Sequence, residues 1–215
     1  DSLASGVFCL HMVRSLLTGK LVNSRNMLLR HARTEKEPGR GERLSRGAEE
    51  LARLAGKLDE CDSVDSLRGI EGAAGNAYFS CFDAMLSEKS GFSFKARSRR
   101  PPRNEVNAVL SFLYVQLSHD MRSALEGVGL DPFAGYLHTL RPGRPSLALD
   151  LMEELRSPLC DRLALSLFNR GRLARQDFQE DGEAVYLNDK GRRKVLSAWR
   201  ERKHEMIRHP FLEAD

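Results

Sequence analysis

Residues 68–79 read RGIEGAAGNAYF, a glutamate set among glycines and alanines. Wound as a helix over 67–86 at about 100° per residue, Leu67, Ala74, Tyr78, Phe82 and Met85 form one apolar stripe, and Glu71 falls in its middle. A carboxylate on a buried stripe is costly unless a partner compensates it. A buried arginine, with Arg68 as a candidate, or a metal ion would serve. Gly72 and Gly75 each cost a helix about 1 kcal/mol relative to alanine, so the pair predicts a close approach by another group.

The second chemistry-bearing stretch is HTLRPGRPSLALDLMEELR, residues 138–156. On a helix from Ser146, Leu147, Ala148, Leu151, Met152 and Leu155 share one face, and Asp150, Glu153 and Glu154 share the other. Asp150 and Glu153 are i, i+3 neighbours whose like charges repel, and a cation would turn that repulsion into attraction. His138 precedes the turn and can fold back over the helix start. Hard oxygen ligands with one imidazole suit Mg²⁺ or Mn²⁺. The ordinary alternative is a solvated outer face beside a packed histidine, the class in which His11, His31, His119, His204 and His209 are left. Spacing suggests a site without establishing one.

The elements that must position these residues read as helical almost throughout. Ser2 to about Glu37 forms one long helix or a helix pair, and residues 42–61 form a second helix, which together make an opening hairpin over 2–62. The Glu71 helix follows, then a charged, serine- and proline-rich loop at 87–104, mobile at least in part. Asn104 starts a helix to about Glu126, and further helices occupy 146–155 and 159–175. Residues 177–187 hold one short strand or hairpin, and a last helix runs from Asn188 or Asp189 to about Arg208. The fold class is all-α, one multi-helix domain over 1–215, with the helices of the candidate site at 66–175.

Composition bounds the function. The chain has 215 residues, 41% hydrophobic and 30% charged, an ordinary soluble balance able to bury a core. No apolar run reaches the ~18–20 residues of a membrane span, because His11 and Arg14 interrupt the stretch from Leu3 to Leu17. Cys9, Cys61, Cys81 and Cys160 are scattered and read as reduced core thiols of a cytoplasmic protein. Net charge is only +4, yet the arginines cluster. The first residue is Asp1 rather than methionine, as expected of a piece of something longer.

Taken together, GKLVNSRNMLLR (19–30), LRGIEGAAGNAYF (67–79), NEVNAVLSFLYVQL (104–117), GLDPFAGYLH (129–138), RPSLALDLMEELRSPL (144–159) and DF…VYLNDKGRRKVL (177–196) resemble the spacer integrase of CRISPR adaptation, a metal-dependent DNA endonuclease. The resemblance runs over nearly the whole chain. It implies one divalent metal held by Glu71, His138 and Glu153, with Asp150 as a supporting residue or alternative ligand. It also implies an N-terminal β domain, of which this sequence shows no run of strands, and a homodimer in the intact protein.

By the same resemblance, the free 3′-hydroxyl of a short DNA duplex attacks a phosphodiester at a repeat end, and a small partner subunit completes the adaptation complex. Arginine's planar fork suits phosphate oxygens, so Arg97, Arg99, Arg100 and Arg103, with Arg141 and Arg144 beside the site helix, are the expected DNA contacts. Arg170, Arg172 and Arg175 form a third cluster. Asn107 and Tyr114 either support the site or touch DNA. The alternatives are a helical DNA-binding module without catalysis and a metal nuclease of DNA repair.

Overall fold

The computed structural model describes residues 2–139 and 141–205, with side chains from Gly6 onward. Among them are α1 (Ser2–Thr34), α2 (Pro38–Gly56), α3 (Val64–Ser80), α4 (Glu105–Gly127), α5 (Ser146–Leu155), α6 (Arg162–Asn169) and α7 (Asp189–Lys203), with one antiparallel hairpin, β1 (Phe178–Asp181) and β2 (Ala184–Leu187). The fold is all-α apart from that hairpin, as the periodicity predicts. The expected extension of α7 to Arg208, and His209, lie outside the described residues.

α1 is a single helix, and α2 returns antiparallel to it. Gly41 on α2 faces the Ala32 carbonyl near the end of α1, while Arg14 donates to the Leu58 and Cys61 carbonyls at the far end. Leu17, Leu21 and Leu28 of α1 meet Leu44 and Leu51 of α2 in the core, each worth roughly 1.5–3 kcal/mol when fully buried. The expected start of α2 at residue 42 moves back to Pro38, because proline at the first helical turn gives up only an N–H that had no partner there. It ends at Gly56, and Leu58–Glu60 tighten into a 3₁₀ turn.

α3 also ends earlier than the expected 86. It closes at Ser80, and Phe82–Met85 form a separate 3₁₀ turn whose Phe82 joins a ring cluster with Phe79 and Phe94. α4 begins as expected, capped by the Asn104 side chain, which accepts from the Asn107 N–H. α5 gives way at Arg156–Asp161 to a π-helical turn containing Pro158, whose missing N–H cannot continue the α pattern. The helix expected to reach 175 ends at Asn169. Gly171, at φ +65°, turns the chain out in the left-handed conformation that glycine allows without strain.

The loop at 87–104 is pinned to the core rather than left free. Phe94 is buried, its N–H donates to Asp83 Oδ1, and Asn107 accepts from the Ser98 N–H while donating to the Ala96 carbonyl.

Candidate functional site

α1, α3 and α5 converge where their chemistry-bearing residues lie. α1 is fastened across the end of α5 at two points. Asn23 Nδ2 donates to the Glu154 carbonyl at 2.8 Å, and the Ser24 and Ser157 hydroxyls meet at 2.8 Å. Lys20, one turn before Ser24, is thereby aimed between Glu71 of α3 and Glu153 of α5. Its Nζ donates to Glu71 Oε1 and stands 2.7 Å from Glu153 Oε2. The expected arginine partner of Glu71 is not Arg68, which pairs with Asp65 and donates to the Leu137 carbonyl. Lys20 takes that place.

The acids of α5 do not form an outer face. Asp150 is fully buried and Glu153 is 2% exposed, because the 129–139 segment folds over them. Gly135 permits that fold, since a Cβ there would stand 2.6 Å from the backbone carbonyl carbon of Ser146. The Pro132 carbonyl meanwhile accepts from the Leu147 N–H at 2.9 Å, satisfying a first-turn donor of α5. Held this way, the backbone N–H groups of Tyr136, Leu137 and His138 all donate to Asp150, at 2.6, 2.9 and 2.9 Å.

His138 Nδ1 also lies 2.7 Å from Asp150 Oδ1. A carboxylate accepts only, so Nδ1 carries a proton, and Nε2 stands 3.8 Å from Glu153 Oε1. Glu71, His138 and Glu153 line one cavity of about 300 Å³ with Arg68 and Arg144. Glu71 and Glu153 also border a second cavity of about 460 Å³, lined by Lys20, Arg97, Arg99, Tyr114 and Arg156. The acid pair thus forms the wall between two basic recesses.

Glu153 is ionised despite its burial. Desolvation pushes its pKa up, but Arg156, Lys20 and His138 outweigh that and hold it at about 2. Arg156 Nη1 is 3.0 Å from Glu153 Oε1, and its guanidinium lies over the Tyr114 ring at 5.0 Å. Tyr114 and Tyr78 donate to the two oxygens of Asp161, at 2.7 and 3.0 Å. That carboxyl is pushed up to about 6 by burial, against the tyrosine hydrogen bonds and the charges of Arg156 and Arg97.

The donor chemistry of Glu71, His138 and Glu153 fits a hard divalent cation with an imidazole ligand. Two observations bear on whether one can be held. The position between the carboxylates is already a cation site, filled by an ammonium, and Glu153 Oε2 has no hydrogen-bond partner although Lys20 Nζ stands 2.7 Å away. Among the described residues, no three His, Cys, Asp or Glu side chains are spaced to grip an ion as they stand. The residues fit a metal once Lys20 gives up its place.

Two sequence expectations need correction. A Cβ on Gly72 or Gly75 would meet nothing within 4 Å, so no group among the described residues makes the predicted close approach, and both glycines border the larger cavity. Arg97 is no mobile surface cation. Its guanidinium donates to Asn107 Oδ1 and Ser111 Oγ and lies over the Tyr114 ring at 5.4 Å, while burial lowers its pKa. Asn107 is fully buried and holds that loop through the Ala96 carbonyl and the Ser98 N–H.

Arg99, Arg100, Arg103 and Arg141 are exposed, with Arg103 facing Glu183 at 3.5 Å, and Arg144 is half-buried at the smaller cavity. Arg172 and Arg175 are engaged by Glu201 and Glu105. Sequence reasoning missed Lys20, Arg156 and Asp161. Lys20 and Arg156 stand inside the GKLVNSRNMLLR and RPSLALDLMEELRSPL motifs, and that was the signal available.

A family model described as CRISPR associated protein Cas1 matches residues 2–201. A CRISPR-associated endonuclease Cas1 of Rhodospirillum rubrum is 50% identical over 208 residues, which cover 94% of this chain and 60% of that relative. The solved structure of a Cas1 protein from Thermotoga maritima is similar with a TM-score of 0.78 at 30% identity, over 90% of this chain and 58% of that one. A chain of a Cas6-RT-Cas1–Cas2 complex is similar with a TM-score of 0.81 at 26% identity, over 96% of this chain and 22% of that one. The chain therefore spans only part of these relatives. With the family model running along nearly its whole length and half its residues shared with the Rhodospirillum rubrum protein, this chain belongs to the Cas1 family of CRISPR-associated proteins.

Proposed function

We propose that this chain is the helical catalytic domain of a divalent-metal-dependent DNA endonuclease and integrase, one that inserts short foreign DNA as new spacers into a CRISPR array. Glu71, His138 and Glu153 would hold Mg²⁺ or Mn²⁺, and Asp150 positions the histidine. The observation that carries this reading is the convergence of those three side chains on one cavity, with His138 Nε2 turned towards Glu153 because Asp150 occupies Nδ1.

A bound divalent ion would neutralise charge at the scissile phosphate and make the attacking hydroxyl more acidic. The chain's own residues do the rest. Asp150 holds the proton on His138 Nδ1 and keeps the ring from turning. Arg156, braced on Tyr114, keeps Glu153 ionised. Arg68 and Arg144 line the cavity where phosphate oxygens would lie, and their planar forks can bind two oxygens at once. As the 3′-oxygen of the incoming strand bonds to phosphorus, the existing P–O bond breaks and a new 3′-hydroxyl leaves. The number of phosphodiesters is conserved. With water as nucleophile the same arrangement hydrolyses DNA.

The partners follow the same reading: prespacer and repeat DNA, a second copy of the intact protein, and a small subunit such as the Cas2 of the complex that contains a similar chain. The reduced cysteines fit a cytoplasmic protein, and no helix of the described residues is long and apolar enough to cross a membrane. Exposed Arg99, Arg100, Arg103 and Arg141 supply sequence-independent phosphate contacts.

The test is cleavage and strand transfer on branched DNA in Mn²⁺. Glu71→Ala and His138→Ala should each lose activity by about 100-fold or more while circular dichroism still reports a folded helical protein. Cutting at the parent rate by either variant would remove that residue from the centre.

A further inference from the structure

The most unusual group at this centre is Lys20. Its side chain is 13% exposed, and its ammonium sits between the carboxylates of two other helices. Docking of α1 does not explain it, because the Asn23–Glu154 and Ser24–Ser157 hydrogen bonds already fasten α1 to the end of α5. Nor is the contact a finished structural ion pair. Glu153 Oε2, with almost no exposure, is left without a hydrogen-bond partner although Nζ is 2.7 Å away. A buried pair kept for structure normally satisfies every lone pair.

The carboxylates are gathered around the ammonium and not, together with His138 Nε2, around a common point. An ammonium has three donors and no acceptor, so it can imitate a cation's charge but cannot share its position with one.

We propose that Lys20 is the resident occupant of the cation position. It holds Glu71 and Glu153 together while no metal is bound, and an arriving divalent ion displaces its ammonium into the adjoining cavity. That cavity has a volume of about 460 Å³ and Lys20 lines it, so the side chain can swing about its own bonds with the backbone of α1 in place. The inference rests on the metal reading proposed above and adds a competition to it. If the lysine-held arrangement dominates, the observed metal affinity is lowered by the small fraction of molecules with the site open. A freed ammonium then carries its charge away from the dication.

Calorimetric titration with Mn²⁺ alone tests this. Lys20→Met and Lys20→Gln remove the competitor and should bind Mn²⁺ about 10-fold more tightly or better. Lys20→Arg keeps a cation and should not. Without metal, both neutral variants should melt below the parent, and saturating Mn²⁺ should close most of that gap. In the unaltered protein, reductive methylation of the Lys20 amine should be slow without metal and faster with it; this readout decides the matter if the neutral variants do not fold.

Unchanged or weaker Mn²⁺ binding in both folded neutral variants overturns the proposal, as does a methylation rate indifferent to metal. Failure of the metal reading looks different. Either the parent then binds no Mn²⁺, or its binding survives Glu71→Ala and His138→Ala, and the competition falls with it.

Discussion

Asp150 and Glu153 lie one turn apart on α5 and are buried to 0% and 2% exposure, yet their surroundings are opposite. Asp150 accepts from three backbone N–H groups and faces His138 Nδ1. Glu153 meets Lys20, Arg156 and the edge of His138 instead of backbone donors, and keeps one oxygen unpartnered. Neighbouring carboxylates on one helix are thus put to different uses. The first is saturated with donors and shapes the loop that carries His138. The second is charged and balanced by Arg156, which is braced on Tyr114, and by Lys20, the cation proposed above to give way. What separates them is the number of fixed donors around each, not residue type or burial.

The largest test of that contrast is a pair of truncations. Asp150→Ala strands three buried N–H donors and the histidine, and should cost about 3–5 kcal/mol of stability in urea unfolding. Its Mn²⁺ affinity should fall by only about 10–100-fold, as for loss of a group that orients a ligand. Glu153→Ala should abolish measurable Mn²⁺ binding. If Asp150→Ala lost binding while Glu153→Ala kept it, the two uses would have to be exchanged.

A third buried acid sharpens the comparison. Asp161 has fixed donors in Tyr78 and Tyr114, but burial wins and its folded pKa is about 6, against 3.8 for the free group. The folded protein therefore takes up this proton before the unfolded chain does as pH falls. The stabilising contribution is complete below about pH 4 and is lost as pH rises through about 6, on the order of 3 kcal/mol in all. Urea unfolding of the parent and Asp161→Asn should show a stability difference that shrinks by that amount between pH 4 and pH 7.5. A difference independent of pH would contradict the raised value.

The smallest expected effect concerns Gly72, on the opposite wall. A Cβ there meets open space, so Gly72→Ala should stabilise α3 by about 0.5–1 kcal/mol through helix propensity. A loss of stability would mean that the wall is more crowded than the structure shows. A gain in stability with weakened DNA binding would show that the close approach read from the glycines belongs to a ligand.

Much of the molecule was legible because it is decided locally. The 3.6-residue periodicity of α3 and α5 marked them as helices, and the Asn104 and Asn188 caps set two helix starts through hydrogen bonds three residues long. Element ends were read less well. Pro38, Pro158 and Gly171 moved three boundaries through backbone effects that apolar periodicity does not register. Motif resemblance singled out Glu71, His138 and Glu153 without saying what stands between them.

The sequence by itself determined a helical chain, a composition able to bury a core, and a family whose motifs point to one acid-and-histidine centre. Only the tertiary structure decided which acid faces which cation. Lys20 and Glu71 are 51 residues apart and meet because Asn23 and Ser24 fix where α1 crosses α5. Arg97 is drawn inward because Tyr114 and Asn107 present a ring face and an acceptor to it. Helix periodicity is a property of adjacent residues, whereas the charge balance of a buried site is a sum over every element that packs against it. No local pattern carries that sum.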